Sequence, residues 1–351
     1  MPCYHPLKGF AIGKTDKGKT QYKIVSYDVT SVQFIDGNWI PFSGPVFRSD
    51  KAQKMVAQSV TIPCGKCLGC RLEYSRQWAN RCMLELGYHE SSWFVTLTYD
   101  DAHLPRSFYG NPDTGEAVPC ATLYKRDFQL FMKRLRFKFG EGIRFYAAGE
   151  YGDQTKRPHY HAIIYGLELD DLVFYKKMAL ESANLYYNYY NSESLQSCWR
   201  DKDGNDIGFV VVGKVTWETC AYVARYIMKK QKGQGADIYE KFNIEPEFCL
   251  MSRKPGIAHQ YYEDHPEMWD YDKINISTPN GGRSFRPPQY FERLFDVDCP
   301  DLSSARKKKK NEAAKSAEKI KKKLTDKSYS DIMITEENVK RNRTKKLRRI
   351  L

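Results

Sequence analysis

The chain predicts an α+β protein in which helices lie on an antiparallel sheet, with a small Cys-rich element beside it. Three observations carry this. Ser92 to Tyr99, Ile143 to Glu150 and Arg157 to Gly166 are β-branched and aromatic runs bounded by turn residues, as strands require. Between the first two, Leu123 to Phe139 places Phe128, Phe131, Met132 and Leu135 on one helical face, with Lys125, Arg126, Lys133, Arg134 and Lys138 elsewhere. Ahead of both, Cys64, Cys67 and Cys70 stand at C-x2-C-x2-C. With 10 Cys in 351 residues that spacing arises by chance about 0.008 times per chain, so it signals a shared ligand.

A chain of 351 residues with 41% hydrophobic content can form one large or two modest domains. No run of 18 apolar residues exists, and Met-Pro-Cys-Tyr-His-Pro lacks the features of a signal peptide. The expectation is a soluble cytoplasmic protein, not a membrane-spanning or secreted one, whose cysteines are free thiols or metal ligands. Residues 306–351 hold 18 Lys and Arg against 6 Asp and Glu, a net of +12 out of a total of +13. Such a tail commonly tracks phosphates; the alternative is a solvated arm.

Taken in order, residues 1–60 read as short strands: Gln21 to Tyr27, Val32 to Ile35, the turn Asp36-Gly37-Asn38, then Trp39 to Phe42. Thiolates spaced as in Cys64, Cys67 and Cys70 bind zinc, and a closed tetrahedral site needs a fourth ligand. Cys3 is the first candidate and Cys82 the second. An iron–sulfur cluster would want a following C-x3-C-P, which is missing, and three unligated thiols remain open. Arg71 to Gly87 is helix-like, with Leu72, Trp78, Cys82 and Leu86 inward. Asp100-Asp101-Ala102-His103-Leu104-Pro105 then opens a loop ending near Pro119.

His159 and His161 alternate along the third strand, so both imidazoles share a face, about 7 Å apart by strand geometry. Such a pair can hold one divalent metal, though His-x-His arises by chance about 0.14 times in a chain with 7 His. If the two strands pair through the turn Tyr151 to Arg157, Glu150 leaves the first where His159 enters the second. Asp170 to Arg200 reads as broken helix, Ile207 to Val215 as a strand. Thr216 then caps a helix running to Lys230 and stopped by Gly233. On it Tyr222 and Tyr226 stand at i, i+4, their hydroxyls about 6 Å apart, with Lys229 on the same side. Tyr186 and Tyr190 have the same spacing, so packing in the core is the default for either pair. Residues 234–300 look irregular, and the tail is helical or disordered, with Ala313, Ala317, Ile320 and Leu324 as one narrow stripe.

These motifs, in this order, resemble the His-hydrophobe-His endonucleases that initiate rolling-circle replication, and within them the gokushovirus-type initiators of microviruses. The resemblance rests on Phe94-Val-Thr-Leu-Thr-Tyr-Asp-Asp101 with His103-Leu-Pro105, Gly149-Glu-Tyr-Gly152 and Arg157-Pro-His-Tyr-His161. It continues through Gly208-Phe-Val-Val-Val-Gly213, Tyr222-Val-Ala-Arg-Tyr-Ile-Met-Lys-Lys230, the Cys64–Cys70 cluster and Met251-Ser-Arg-Lys-Pro-Gly-Ile257. It covers most of residues 60–260; the middle residue of the His motif here is the bulky Tyr160.

The resemblance implies a sheet order compatible with the ferredoxin-like β-α-β-β-α-β arrangement, the His strand central and the tyrosine helix across the metal. It implies Mg or Mn held by Glu150, His159 and His161, a nucleophile at Tyr222 or Tyr226 assisted by Lys229, and a 5′-phosphotyrosine link with a free 3′-hydroxyl. Cys3, Cys64, Cys67 and Cys70 are expected to hold structural zinc. The expected partners are single-stranded DNA, the replication origin, and a host polymerase and helicase, in the cytoplasm of an infected bacterium. The expected division is residues 1–90 with the Cys element, a nicking core at 91–235, an extension at 236–302 and a basic tail at 303–351. Two other readings stay open: a non-enzymatic zinc-containing nucleic-acid-binding protein, and a metal-dependent nuclease using water.

Overall fold

The structure, a computed structural model, describes residues 3–16, 18, 20–180, 185–225, 230, 233–278 and 281–345. It divides into two compact units, one of residues 1–73 with 295–349, the other chiefly of residues 74–294. In the first, β1 (Leu7–Lys14), β2 (Thr20–Ser26), β3 (Val29–Ile35), β4 (Asn38–Ser43), β5 (Lys54–Val56) and β6 (Ser59–Ile62) form two small antiparallel sheets. Asp36 and Gly37 both take positive φ, the backbone that a two-residue hairpin turn needs, which is why Asp-Gly joins β3 to β4. Phe10, Val29 and Val32 are the buried core of these sheets.

Helix α1 (Leu68–Leu86) leads to β7 (Ser92–Thr98), the hairpin β8 (Arg106–Gly110) and β9 (Ala117–Ala121), and α2 (Lys125–Phe139). Then come β10 (Arg144–Tyr151), β11 (Pro158–Tyr165), β12 (Val173–Leu180), β13 (Leu185–Asn191), the single turn α3 (Glu193–Gln196), β14 (Val210–Lys214) and α4 (Trp217–Arg225). The chain continues through α5 (Asp237–Lys241), β15 (Phe248–Met251), α6 (His259–Asp264), β16 (Ile274–Thr278), β17 (Gly281–Phe285) and α7 (Gln289–Asp298). It ends in α8 (Pro300–Lys323) and α9 (Tyr329–Lys345).

Among the described residues the main sheet has the order β12-β13-β14-β7-β11-β10-β15, every neighbouring pair antiparallel. Side chains alternate across it, so each strand feeds two cores. One face carries Val95, Leu97, Tyr160 and Ala162, covered by Phe128, Phe131, Met132 and Leu135 of α2 and by Trp199. The other carries Phe94, Tyr146, Ala148, Ile163 and Tyr165, covered by Trp78 and Cys82 of α1 and by Cys220 and Val223 of α4. Burying a side chain of this size contributes roughly 1.5–3 kcal/mol, so the two covers hold the sheet rigid from both sides. Tyr160, between the two histidines, points away from them into the α2 core. Its hydroxyl is satisfied there, donating to the Tyr124 carbonyl at 2.8 Å and accepting from the Tyr124 N–H at 3.1 Å. That is how a bulky polar residue fits at this position.

Several sequence expectations change. Residues 170–200 are the β12–β13 hairpin plus one helical turn, not broken helix. Lys, Met, Ala and Leu in β12 favour helix locally, but pairing with β13 overrides propensity, and a bulge between Phe174 and Lys176 breaks the alternation that would have marked β12. The stretch before Pro119 contains the β8–β9 hairpin. The described part of residues 234–300 is regular rather than irregular: β15 extends the main sheet beside β10, and β16 pairs antiparallel with β17. Gly233 opens a short 3-10 turn, Gly233–Ala236; α4 is described to Arg225, and the end of the expected helix falls at residues 226–229, 231 and 232, outside the described residues. The Met251–Ile257 motif is a loop whose carbonyls are clamped by Arg144, on Pro255 and Gly256, and by Arg81, on Ile257.

The tail is two helices that pack within the first unit. Its apolar stripe is not the packing face, since Ile320 and Leu324 are 61% and 78% exposed. Contact runs instead through Tyr329, stacked on Tyr27 at 5.2 Å, and through the Lys321–Glu336 pair. Buried Met333 and the carboxylate of Glu337 complete it: one oxygen accepts the Leu68 N–H at 3.0 Å, the other meets His5 at 2.6 Å. Removing residues 305–351 is therefore expected to lower the melting temperature. Neutralising exposed Lys308 and Lys309 to Gln should leave melting unchanged and make the salt slope of DNA binding shallower by up to about 1.8. A thermal melt and a salt titration on each variant separate the tail's packing from its charge.

Candidate active site

Cross-strand register builds the site. β10 and β11 pair so that Glu150 stands opposite His159 and Ala148 opposite His161. Strand β7 flanks the other side, with Thr98 opposite His159 and Thr96 opposite His161. Glu150, His159 and His161 thus converge on one face, their ligand atoms all within 4.8 Å of one another. The Glu150 Oε1 lies 2.7 Å from His159 Nε2 and 3.3 Å from His161 Nε2. The two rings sit 4.9 Å apart, closer than strand spacing alone predicts, because both lean toward the carboxylate.

Neighbours aim these groups. His161 Nδ1 is 2.9 Å from the Thr96 hydroxyl, and its ring stacks on Phe94 at 5.6 Å. His159 Nδ1 lies 3.2 Å from the Arg157 carbonyl, to which it can donate. With both Nδ1 atoms engaged, each Nε2 faces Glu150, to which it donates here; a bound cation would take the place of those protons, the arrangement in which imidazoles bind metal. Burial alone would raise the Glu150 carboxyl, but its hydrogen bonds with the two histidines outweigh that and hold it well below the ordinary range. A carboxylate and two imidazoles make a donor set that fits a divalent cation, and the nitrogen pair suits manganese better than magnesium. Glu150 and His161 are buried while His159 is partly open, so access comes from the His159 side.

Asp101 and His103, which follow β7 near the same end of the sheet, are engaged elsewhere: Asp101 with Arg157, His103 with Asp100 and Asp201. Helix α4 crosses the same face. Thr216 and Thr219 cap its start reciprocally, at 3.2 and 2.8 Å, and this points the helix over β11. The Tyr222 ring packs edge-on against His161 at 5.2 Å and against Phe94 at 6.1 Å. Tyr226 and Lys229 lie outside the described residues.

A family model described as replication-associated protein ORF2/G2P matches residues 92–231, the stretch that carries all of these groups. The replication-associated protein ORF2 of Spiroplasma virus 4 is 32% identical over 317 residues, covering 88% of this chain and 91% of that protein. The chain belongs to this replication-associated protein family. The replication-associated protein VP4 of Bdellovibrio phage phiMH2K is 31% identical over 73% of this chain and 74% of its own length. The replication-associated protein ORF4 of Chlamydia phage 1 is 30% identical over 49% of this chain and 39% of that protein. No solved structure matches.

This family member carries a second cluster, in its other unit. Cys3, Cys64, Cys67 and Cys70 bring their sulfurs within 4.8 Å of one another. Cys82, the other candidate, is buried between α1 and the sheet. Backbone N–H groups point at the sulfurs: Cys64 to Cys3 at 3.2 Å, Cys67 to Cys64 at 3.3 Å and Tyr4 to Cys67 at 3.3 Å. The hydrogen bond with the Cys3 sulfur, together with the Cys70 and Tyr4 N–H groups, holds the Cys67 thiol well below its ordinary range. Four converging sulfurs fit zinc, which would hold them as thiolates, and leave no position open. Of the two glycines between the thiols, Gly65 takes a positive φ, whereas Gly69 lies inside α1.

Thr96 and Phe94 were not singled out as site residues by sequence reasoning. Their signal is positional: they alternate on β7 in register with the His strand. Thr96→Val should cost roughly 10–100-fold in Mn²⁺ affinity, read by calorimetry, because His161 loses the partner that orients its ring. Cys67→Ser should lower zinc content, measured by elemental analysis, and melting temperature together. Normal melting without zinc would rule that site out.

Proposed function

We propose that this protein initiates rolling-circle replication by nicking single-stranded origin DNA through a tyrosine, and that it rejoins strands by the reverse reaction. The observation that carries the reading is the Glu150–His159–His161 cluster with the Tyr222 ring packed against it, in a chain of the replication-associated family. The strand order β14-β7-β11-β10, with a crossover helix between β7 and β10, supports a ferredoxin-like nicking core at residues 91–235. Residues 1–90 with the zinc element, the 236–302 extension and the 303–351 tail would be accessories.

Glu150, His159 and His161 would hold Mg²⁺ or Mn²⁺, which when bound polarises the scissile phosphate and offsets charge building on it. A tyrosine oxygen attacks phosphorus, the bond to the 3′ oxygen breaks, and the proton lost by the phenol is balanced by the one gained at the new 3′-hydroxyl. A free phenol has a pKa near 10, so the attack needs help. Lys229 would supply it by favouring phenolate or clamping the phosphate. Thr96 and the Arg157 carbonyl keep the imidazoles aimed. Because the tyrosyl ester keeps the phosphodiester energy, joining needs no ATP, and two tyrosines allow a second cleavage before the first ester resolves. A host polymerase and helicase would act on the 3′ end, in the cytoplasm of the infected bacterium.

Labelled single-stranded origin DNA, incubated with the protein and Mn²⁺, should give a covalent adduct on a denaturing gel. His159→Ala and His161→Gln should abolish it with melting nearly unchanged. Tyr222→Phe and Tyr226→Phe should each retain some single cleavage but stall at a linear, protein-bound product, and the double variant should form no adduct. Phe keeps the ring, so the loss reports chemistry. An adduct from the double variant would place the nucleophile elsewhere. Tyr186→Phe with Tyr190→Phe is the control and should cleave normally.

A further inference from the structure

One line of cross-strand neighbours runs from the candidate metal site to the far edge of the sheet. Glu150 pairs with His159, and His159 with Thr98. Thr98 in turn binds Phe209, donating its N–H to the Phe209 carbonyl at 3.0 Å and accepting the Phe209 N–H on its hydroxyl at 3.3 Å. Val210 pairs with Leu97, so by alternation Phe209 and Thr98 share the face that carries His159. Two strand spacings separate Phe209 from His159, about 10 Å. The Phe209 ring is 42% exposed and meets the ring of Tyr175 edge-on at 5.4 Å; Tyr175 is 45% exposed. Both rings sit at the end of the sheet from which His159 is reached.

The backbone around this pair is built for it. A Cβ on Gly208 would lie 1.9 Å from the Thr98 carbonyl oxygen, so only glycine lets the chain press Phe209 against β7. Tyr175 stands at the bulge of β12, which turns its ring out of the regular alternation and toward Phe209. Lysines follow it: Lys176 Nζ lies 5.3 Å from the Tyr175 ring, and Lys177 Nζ sits 4.3 Å over the Tyr186 ring. β12 is also an edge strand, where a bulge and adjacent lysines oppose pairing with a second copy.

We propose that Phe209 and Tyr175, flanked by Lys176 and Lys177, form a platform on which bases of single-stranded DNA next to the scissile phosphate stack. Exposed π faces beside cations suit a single strand, whose bases stack on aromatics while its phosphates pair with ammonium groups. The 10 Å to His159 spans about three nucleotides at the stacked rise of roughly 3.4 Å, and fewer when the strand is extended. The inference rests on the nicking reading for its choice of substrate, and the test keeps the two apart.

Full-length protein is titrated with a 5′-fluorescein oligo(dT) 20-mer in buffer without added Mg²⁺ or Mn²⁺ and without chelator, so that structural zinc stays bound while metal-dependent cleavage is not supported, and anisotropy is read. Phe209→Ala and Tyr175→Ala should each weaken binding about tenfold, the size of one lost stacking contact, with the salt slope unchanged. Phe209→Leu, which keeps apolar bulk, should lose as much as Ala, while Phe209→Trp should bind as wild type. Lys176→Gln with Lys177→Gln should make the salt slope shallower. Affinities within twofold of wild type for the Ala and Leu variants, or no binding by wild type, overturn the platform. So does a change from dimer to monomer by sedimentation, which would assign the rings to a second copy. Wild type that forms a covalent adduct while the ring variants bind normally sinks the platform alone. Ring-dependent binding by a protein that forms no adduct sinks the nicking reading alone.

Discussion

The pairing of β10 with β11 is the constraint on which the candidate site depends. A carboxylate and two imidazoles repel water-poor surroundings unless they meet one another, and only this register makes them meet. A slip by one residue would turn Glu150 toward the α2 core and the histidines away from it. The register is held at both ends, by the turn that returns the Arg157 carbonyl to the Gly152 N–H and by the two cores that alternate along the strands. Tyr160 takes part in that hold. Its hydroxyl, tied to the backbone of Tyr124 at the entry to α2, fixes the rotation of β11 from the face opposite the histidines. The middle residue of the motif is thus an anchor, and its bulk is what it contributes.

Much of this was legible in the chain itself. Strands with continuous β-branched and aromatic runs, such as Ser92–Thr98, declare themselves, and α2 follows from four apolar residues on one face. Glu150 could be assigned to the imidazoles because a short turn forces a hairpin. What stayed hidden was pairing that depends on distant residues. β12 ends in helix-forming Lys, Met, Ala and Leu and becomes a strand only against β13; β15 has four residues and gains its place only against β10. The tail hid its packing for a related reason. An apolar stripe is the usual marker of a buried face, but here the contact is made by Tyr329, Met333 and Glu337, two polar groups and a single aliphatic one.

The two clusters solve different electrostatic problems. Around Glu150 the charge is a single carboxylate, balanced by side chains on rigid strands, and one flank stays open. Around Cys67 four sulfurs crowd together, balanced by backbone N–H groups from a tight loop and from the chain near Tyr4, and every sulfur faces inward. An open set of mixed oxygen and nitrogen donors suits exchange with phosphate oxygens, whereas a closed set of sulfurs suits holding a fold.

The contact of Glu337 with the Leu68 N–H joins positions 269 residues apart, and both belong to one compact unit. A ribosome adds roughly 5–20 residues per second, so the first partner waits on the order of ten seconds to a minute for the second. Through that interval the start of α1 lacks its carboxylate and the thiols beside it stand without α9. The intervening unit, continuous from residue 74 to 294, has all its own strands well before then. The unit that carries the candidate site can therefore take shape on the ribosome, while the Cys-rich unit is completed last, by the segment that also carries most of the positive charge.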